Sequence, residues 1–282
     1  MGNFCMAKKT SNPLLPCLVY HRLHRGAGPE DPYLRAFSIE AERFREQMEG
    51  LCKAGFVAGS LTDFSAWQEG KCPPPEKPLL LTFDDGWASN FTLAWPELRR
   101  LGMACTIFVV ADRQAEIFGE GADLDRPLRD EEMLVLAAEG ACIQSHGLTH
   151  RPLTELSDED LSREIVESRH RLERLLKEPI EWLAAPYGLS DKRVEHFVRR
   201  AGYRGFVPGL IGANRLARGL PMSLRRLGVR PCWSSEELIS KVSSWSLFRA
   251  ALAGNLKRRL RIALGHKWSS RLRGIIRGRP AC

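Results

Sequence analysis

LLLTFDDGWASN, residues 79–90, begins as an apolar run of strand length and breaks at Phe83 into Asp84-Asp85-Gly86. A short apolar run bounded by turn residues reads as a buried strand. Polar residues at the C-terminal end of a buried parallel strand are where α/β barrels place their chemistry. Asp-Gly pairs also mark ordinary turns, so the pair alone admits a purely structural reading.

Working outward, the neighbouring segments repeat the same grammar. On the N-terminal side, LLPCLVY (residues 14–20) is a second apolar run, ending at His21, and residues 24–36 read as a Gly- and Pro-rich loop. A helix is expected from Ser38 as N-cap through Cys52, with Gly55 ending it, and a shorter one over residues 61–67. On the C-terminal side, strands are expected at 103–111, 141–145, 181–185 and 203–207. Helices are expected up to Leu101, near 130–139, over 157–177 with Ser157 and Asp160 at its start, and near 190–201. Strands alternating with helices imply parallel pairing. The expected architecture is α/β, a distorted (β/α) barrel over residues 1–235 followed by a basic tail over 236–282.

A chain of 282 residues is long enough to bury a barrel core, and 44% hydrophobic with 27% charged residues is ordinary for a soluble globular protein. No apolar run reaches the roughly 18 residues that a membrane-spanning helix needs. No long apolar segment precedes His21, and a cytoplasmic location is expected. Eight scattered cysteines without a CxxC pair read as free thiols of a reducing compartment.

The net charge of +8 is unevenly placed. After Glu237 there is no acidic residue, whereas eleven Lys and Arg follow, among them Lys257, Arg258 and Arg259. Trp245, Phe248, Leu252, Leu256 and Leu260 recur among them at helical spacing. A basic amphipathic helix of this kind suits an anionic membrane surface at the inner membrane face. The plainer alternative is a helix packed on the barrel with a basic end. No base-reading motif accompanies the charge, so nucleic acid is not an expected partner.

His146 and His150 follow the strand expected at 141–145, just as the Asp pair follows its own strand. Both features therefore project to the same end of a parallel sheet. Two imidazoles four positions apart reach one ion, and one added carboxylate completes a three-ligand site with room for water and substrate.

LLLTFDDGWASN, SHGLTHRPL and APYG, in that order and spacing, resemble the polysaccharide deacetylase (NodB-homology) family, carbohydrate esterase family four. LVYHRL, FSIEAERFREQMEGLCKAGF and PELRRLGMACTIFVV extend the resemblance over roughly residues 14–230. It implies that Asp85, His146 and His150 hold Zn²⁺ or a related divalent ion, that Asp84 is the general base, and that the Tyr187 backbone N–H binds the oxyanion. The C-terminal Leu-x-His acid of many members is missing, since LPMSLRRLGVRP (residues 220–231) has no histidine. His21 instead matches the Tyr-His motif of members similar to poly-N-acetylglucosamine deacetylases, where the histidine is the acid. Ala184 stands where many members carry an Arg that orients the base, and Arg226 is the expected substitute. Trp87 reads either as a sugar-stacking ring or as packing. His24 lies in a loop, and His170 and His196 lie on charged helices.

The implied activity is metal-dependent removal of an N-acetyl group from an amino sugar in surface or exopolysaccharide metabolism. The substrate would be an amino-sugar unit or a lipid-linked saccharide. Deformylation of an N-formyl amino sugar and an inactive carbohydrate-binding barrel are the alternatives.

Overall fold

A computed structural model describes residues 14–118, 125–216 and 223–242. Twelve strands are present among them: β1 Leu14–Leu15, β2 Cys17–Tyr20, β3 Arg22–His24, β4 Ser38–Glu40, β5 Val57–Gly59, β6 Pro78–Phe83, β7 Thr106–Val109, β8 Cys142–Ser145, β9 Trp182–Ala184, β10 Gly205–Val207, β11 Asn214–Arg215 and β12 Leu227–Gly228. The α-helices are α1 Pro32–Ala36, α2 Ala41–Lys53, α3 Leu61–Glu69, α4 Trp95–Arg100, α5 Asp130–Ala138, α6 Asp158–Leu176, α7 Lys192–Arg200 and α8 Ser235–Lys241.

Eight strands form one sheet in the order β10-β9-β8-β7-β6-β2-β12, with β5 also paired to β6. Every pairing within it is parallel. The segment 223–228 touches both edges: Ser223 bridges Phe206 of β10, while Leu227 pairs with Leu18 of β2. That segment curls the sheet into the expected distorted barrel.

Period-two alternation sorts the side chains. Leu79, Leu81 and Phe83 of β6 belong to the outer core beneath the helices, whereas Leu80 joins an inner cluster with Cys17, Phe108, Trp182, Ala184, Val207 and Leu224. Full burial of each large apolar side chain contributes about 1.5–3 kcal/mol, so two filled layers hold the strand ends in place. The same alternation continued along β6 turns Thr82 and Asp84 inward.

Several boundaries differ from the sequence expectation. The first strand divides at Pro16, which has no N–H to donate, although its carbonyl still accepts from Leu80 N–H at 2.9 Å. Ser38 does not cap a helix. It pairs with Arg22 in the β3–β4 ladder, its hydroxyl donates to the Leu34 carbonyl at 2.8 Å, and α2 begins only after Glu40. The expected loop 24–36 contains α1. The Ser157 hydroxyl does cap α6, accepting from Asp160 N–H at 3.2 Å.

Residues 236–242, read as the start of the tail, pack on the barrel. Helix α8 lies against α2, burying Leu238 and Val242. The amphipathic segment with Trp245 to Leu260 lies outside the described residues, and no described helix is long and apolar enough to cross a membrane.

Candidate active site

Asp84 leaves β6 at the inward position, and its N–H donates to the Tyr20 carbonyl of β2 at 2.9 Å. Arg226 meets it from the closing segment: Nη1 and Nη2 donate to Oδ1 and Oδ2 at 2.6 and 2.7 Å. Both side chains are buried. Thr82 supports the pair, accepting from Arg226 Nη1 at 3.2 Å while donating to the Leu18 carbonyl at 2.7 Å. The guanidinium also lies over the Phe108 ring, 5.5 Å from its centroid. Burial alone would push the Asp84 carboxyl up, but the charges of Arg226 and then His146 outweigh it and hold it below the ordinary carboxylate range.

Asp85 turns away by adopting a left-handed backbone with φ of 73°, which Gly86 continues at 81°. A Cβ on Gly86 would sit 3.0 Å from a Val109 methyl, so glycine also lets the turn lie close on β7. Asp85 Oδ1 faces His146 Nε2 at 3.4 Å and His150 Nε2 at 3.3 Å. Burial opposes the Asp85 charge, but hydrogen bonds from His146 and His150 hold the carboxyl well below its ordinary range.

His146 directly follows β8, and its Nδ1 lies 3.0 Å from the Ala184 carbonyl. A carbonyl only accepts, so Nδ1 carries a proton, and Nε2 is the nitrogen turned to Asp85, donating to the carboxylate when protonated and offering its lone pair to an ion once that proton leaves. Ligand atoms of Asp85, His146 and His150 all lie within 4.8 Å of one another, and all three residues are buried. One carboxylate oxygen and two imidazole nitrogens match the donor set of a hydrolytic zinc site, so the residues fit a divalent ion.

His150 also has a left-handed backbone, at φ 63°, as does Tyr187, at φ 58°. The Tyr187 ring lies 4.6 Å from the His150 ring, centroid to centroid. Four described non-glycine residues have positive φ, and three of them are Asp85, His150 and Tyr187. Backbone strain of this kind costs about 1–3 kcal/mol per residue and concentrates where function requires it.

His21 follows β2, whose register pairs Tyr20 with Phe83, so continuing the ladder sets His21 beside Asp84. Its ring packs on Phe37, 4.8 Å away. Burial lowers the basicity of the imidazole, while the charges of Asp85 and Asp84 act to raise it. All seven residues expected at the site therefore gather at the C-terminal ends of β2, β6, β8 and β9 and at the closing segment.

Trp87 is not a platform for sugar. It is 3% exposed, and its indole N–H donates to Asp85 Oδ2 at 2.9 Å. His24 packs its ring on Gly28, His170 is exposed on α6, and His196 meets the Phe197 ring edge-on.

The sequence reading missed Glu164. This buried carboxylate on α6 accepts from the N–H groups of Leu148 and Thr149, both at 2.9 Å, and from the Thr149 hydroxyl. It thereby braces the loop that joins His146 to His150. Its signal was present: Glu164 interrupts the buried stripe of Leu161, Ile165, Ser168 and Leu172.

Residues 71–206, which carry both Asp-Asp-Gly and the two histidines, match the model of the family described as polysaccharide deacetylase. Residues 71–206 form a polysaccharide deacetylase domain. Such deacetylases are hydrolases of carbon–nitrogen bonds in linear amides. The chain is 25% identical over 237 residues to YxkH of Bacillus subtilis (strain 168), a protein named for the same family, covering 84% of this chain and 79% of that one. Its fold is similar to that of the Streptococcus pyogenes deacetylase PplD, solved in complex with acetate, at 23% identity and TM-score 0.71, covering 83% of this chain and 100% of that one. It is likewise similar to IcaB from Ammonifex degensii, at 22% identity and TM-score 0.66, covering 81% and 97%. A de-N-acetylase from Aggregatibacter actinomycetemcomitans aligns at 17% identity and TM-score 0.69, covering 82% and 100%.

Proposed function

We propose that this deacetylase removes the N-acetyl group from an N-acetylhexosamine unit of a saccharide, using Asp85, His146 and His150 to hold a divalent ion. The observation that carries the reading is the convergence of those three ligands beside a buried Asp84–Arg226 pair. A divalent ion there supplies Lewis acidity to the amide carbonyl and lowers the pKa of water at the site.

The remaining work belongs to the chain. Asp84 stays ionised at neutral pH because Arg226 neutralises it, so it is available to take the proton of the attacking water. Arg226 grips both carboxylate oxygens and fixes their direction. The Tyr187 backbone N–H donates to the oxyanion as the carbonyl becomes tetrahedral. His21, on the neighbouring strand end, hands a proton to the leaving amine. Burial lowers the basicity of the His21 imidazole, and the charges of Asp85 and Asp84 only partly offset it, so the imidazolium formed there gives up its proton readily to the leaving amine.

Acetate release from N-acetylglucosamine oligomers tests the reading, with wild type and Asp84→Asn compared at equal metal content. Release by wild type and a loss of about 10²-fold or more in the variant are expected. Equal release by both, or none by the metal-loaded wild type, would overturn it.

A further inference from the structure

The two oxygens of Asp85 have different surroundings. Oδ1 faces the imidazoles of His146 and His150, whereas Oδ2 accepts the indole N–H of Trp87 at 2.9 Å. Trp87 is in turn held from several sides. The Arg22 guanidinium lies over its ring at 5.0 Å, and Phe118 packs edge-on at 5.0 Å and 76°. Its backbone bridges Pro127, while the flanking Gly86 carbonyl and Ala88 N–H bond to Leu128 and Arg126 at 2.8 and 2.9 Å. Arg22 is itself buried and ion-paired with Asp125.

We infer that Trp87 is a positioning residue for the metal site, its indole N–H holding Asp85 so that one oxygen alone faces the ion. A carboxylate turns freely about its Cβ–Cγ bond unless something engages its second oxygen. The indole N–H has no second role to satisfy, since it is a donor only, and a buried donor needs an acceptor. Arg22 and Phe118 leave the ring no freedom to follow a rotating carboxylate. Occupying Oδ2 keeps Asp85 from closing on the ion with both oxygens, which preserves coordination positions for water and substrate. The cation over the ring strengthens the effect, because it draws electron density from the indole and makes its N–H a better donor.

The inference rests on the metal-site reading, and zinc affinity separates the two. Zinc is titrated into the metal-free full chain against a chromophoric chelator, for wild type and Trp87→Phe. If wild type binds no zinc, the metal-site reading fails. If wild type binds one zinc and Trp87→Phe binds 10–100-fold more weakly, the inference holds, since that is the usual loss when a ligand's hydrogen-bond partner is removed. Affinities within twofold of each other would overturn it. Arg22→Gln, which leaves the N–H in place, should weaken zinc binding less than Trp87→Phe does.

Should Trp87→Phe fail to fold, the indole N–H resonances of the wild-type protein decide. Of the seven tryptophans, one should give an N–H that is protected from solvent exchange and shifts when zinc is added. A spectrum in which no protected indole responds to zinc would overturn the assignment.

Discussion

Replacing Arg226 by methionine keeps most of the side-chain volume and removes the fork that holds Asp84. The pair is buried, with Nη1 and Nη2 at 2.6 and 2.7 Å from the two carboxylate oxygens. Breaking such a pair leaves an uncompensated buried carboxylate and costs about 3–5 kcal/mol. At roughly 2–4 °C per kcal/mol for a domain of this size, the midpoint of thermal unfolding should drop by about 10 °C at neutral pH. The pH dependence follows from the sign of the shift. In wild type the folded-state carboxyl lies below its unfolded value. Its stabilising contribution is thus complete above the unfolded pKa of about 3.9 and fades only as pH falls through the lower folded value. Without the guanidinium, the largest opposition to burial is gone, and the folded value should rise from its wild-type position. The variant then loses, as pH climbs from about 4, stability that the pair gives the wild type. The gap between the two proteins should therefore be widest near neutrality and narrow toward about pH 4. Turnover should fall about 10²-fold, because the base loses its direction. Thermal melts across pH and acetate release give both numbers. A midpoint within about 2 °C of wild type at neutral pH, with turnover within a few-fold, would refute the pairing of Arg226 with Asp84.

Three further outcomes follow from the same site. His21→Gln should fold and bind metal as wild type does while losing about 10²-fold in turnover, and its pH–rate profile should lose the fall toward high pH that marks deprotonation of an acid. Glu164→Ala removes three hydrogen bonds to a buried carboxylate from the loop between the metal histidines. At about 1.5 kcal/mol or more for each hydrogen bond to a charged group, it should lower both unfolding midpoint and zinc affinity; unchanged zinc affinity would deny the loop its bracing. The basic segment beyond Val242 is proposed to bind anionic membranes, so full-length protein should float with anionic liposomes and a chain ending at Val242 should not.

The sequence carried most of the barrel because both of its periodicities are regular. Apolar runs ending in Asp84, His146 and His21 located three strand ends, and parallel pairing then forced those ends together. Arg226 was legible only through the family resemblance, since nothing local marks residues 223–228 as the segment that closes the sheet; LRRLG is too short and too charged to read as a strand. Trp87 remained ambiguous because a sequence gives no side-chain direction after a left-handed turn, and the turn at Asp85 and Gly86 is what swings the indole back onto the carboxylate. Ser38 misled for a related reason: its hydroxyl suits a cap, but the β3–β4 ladder claimed its backbone first. Glu164 was passed over because a charged residue on a charged helix draws no notice unless its position is checked against the buried stripe.

Amide cleavage is proposed to depend on one ion held by Asp85, His146 and His150. Acetate release can be followed as zinc is titrated back into chelator-treated protein, with Asp85→Ala alongside. Activity should be absent without metal, rise in proportion to zinc and level off at about one equivalent per chain, as expected of a single three-ligand site, while Asp85→Ala stays silent. Acetate release that survives metal removal, or that zinc restores equally to Asp85→Ala, would contradict the account.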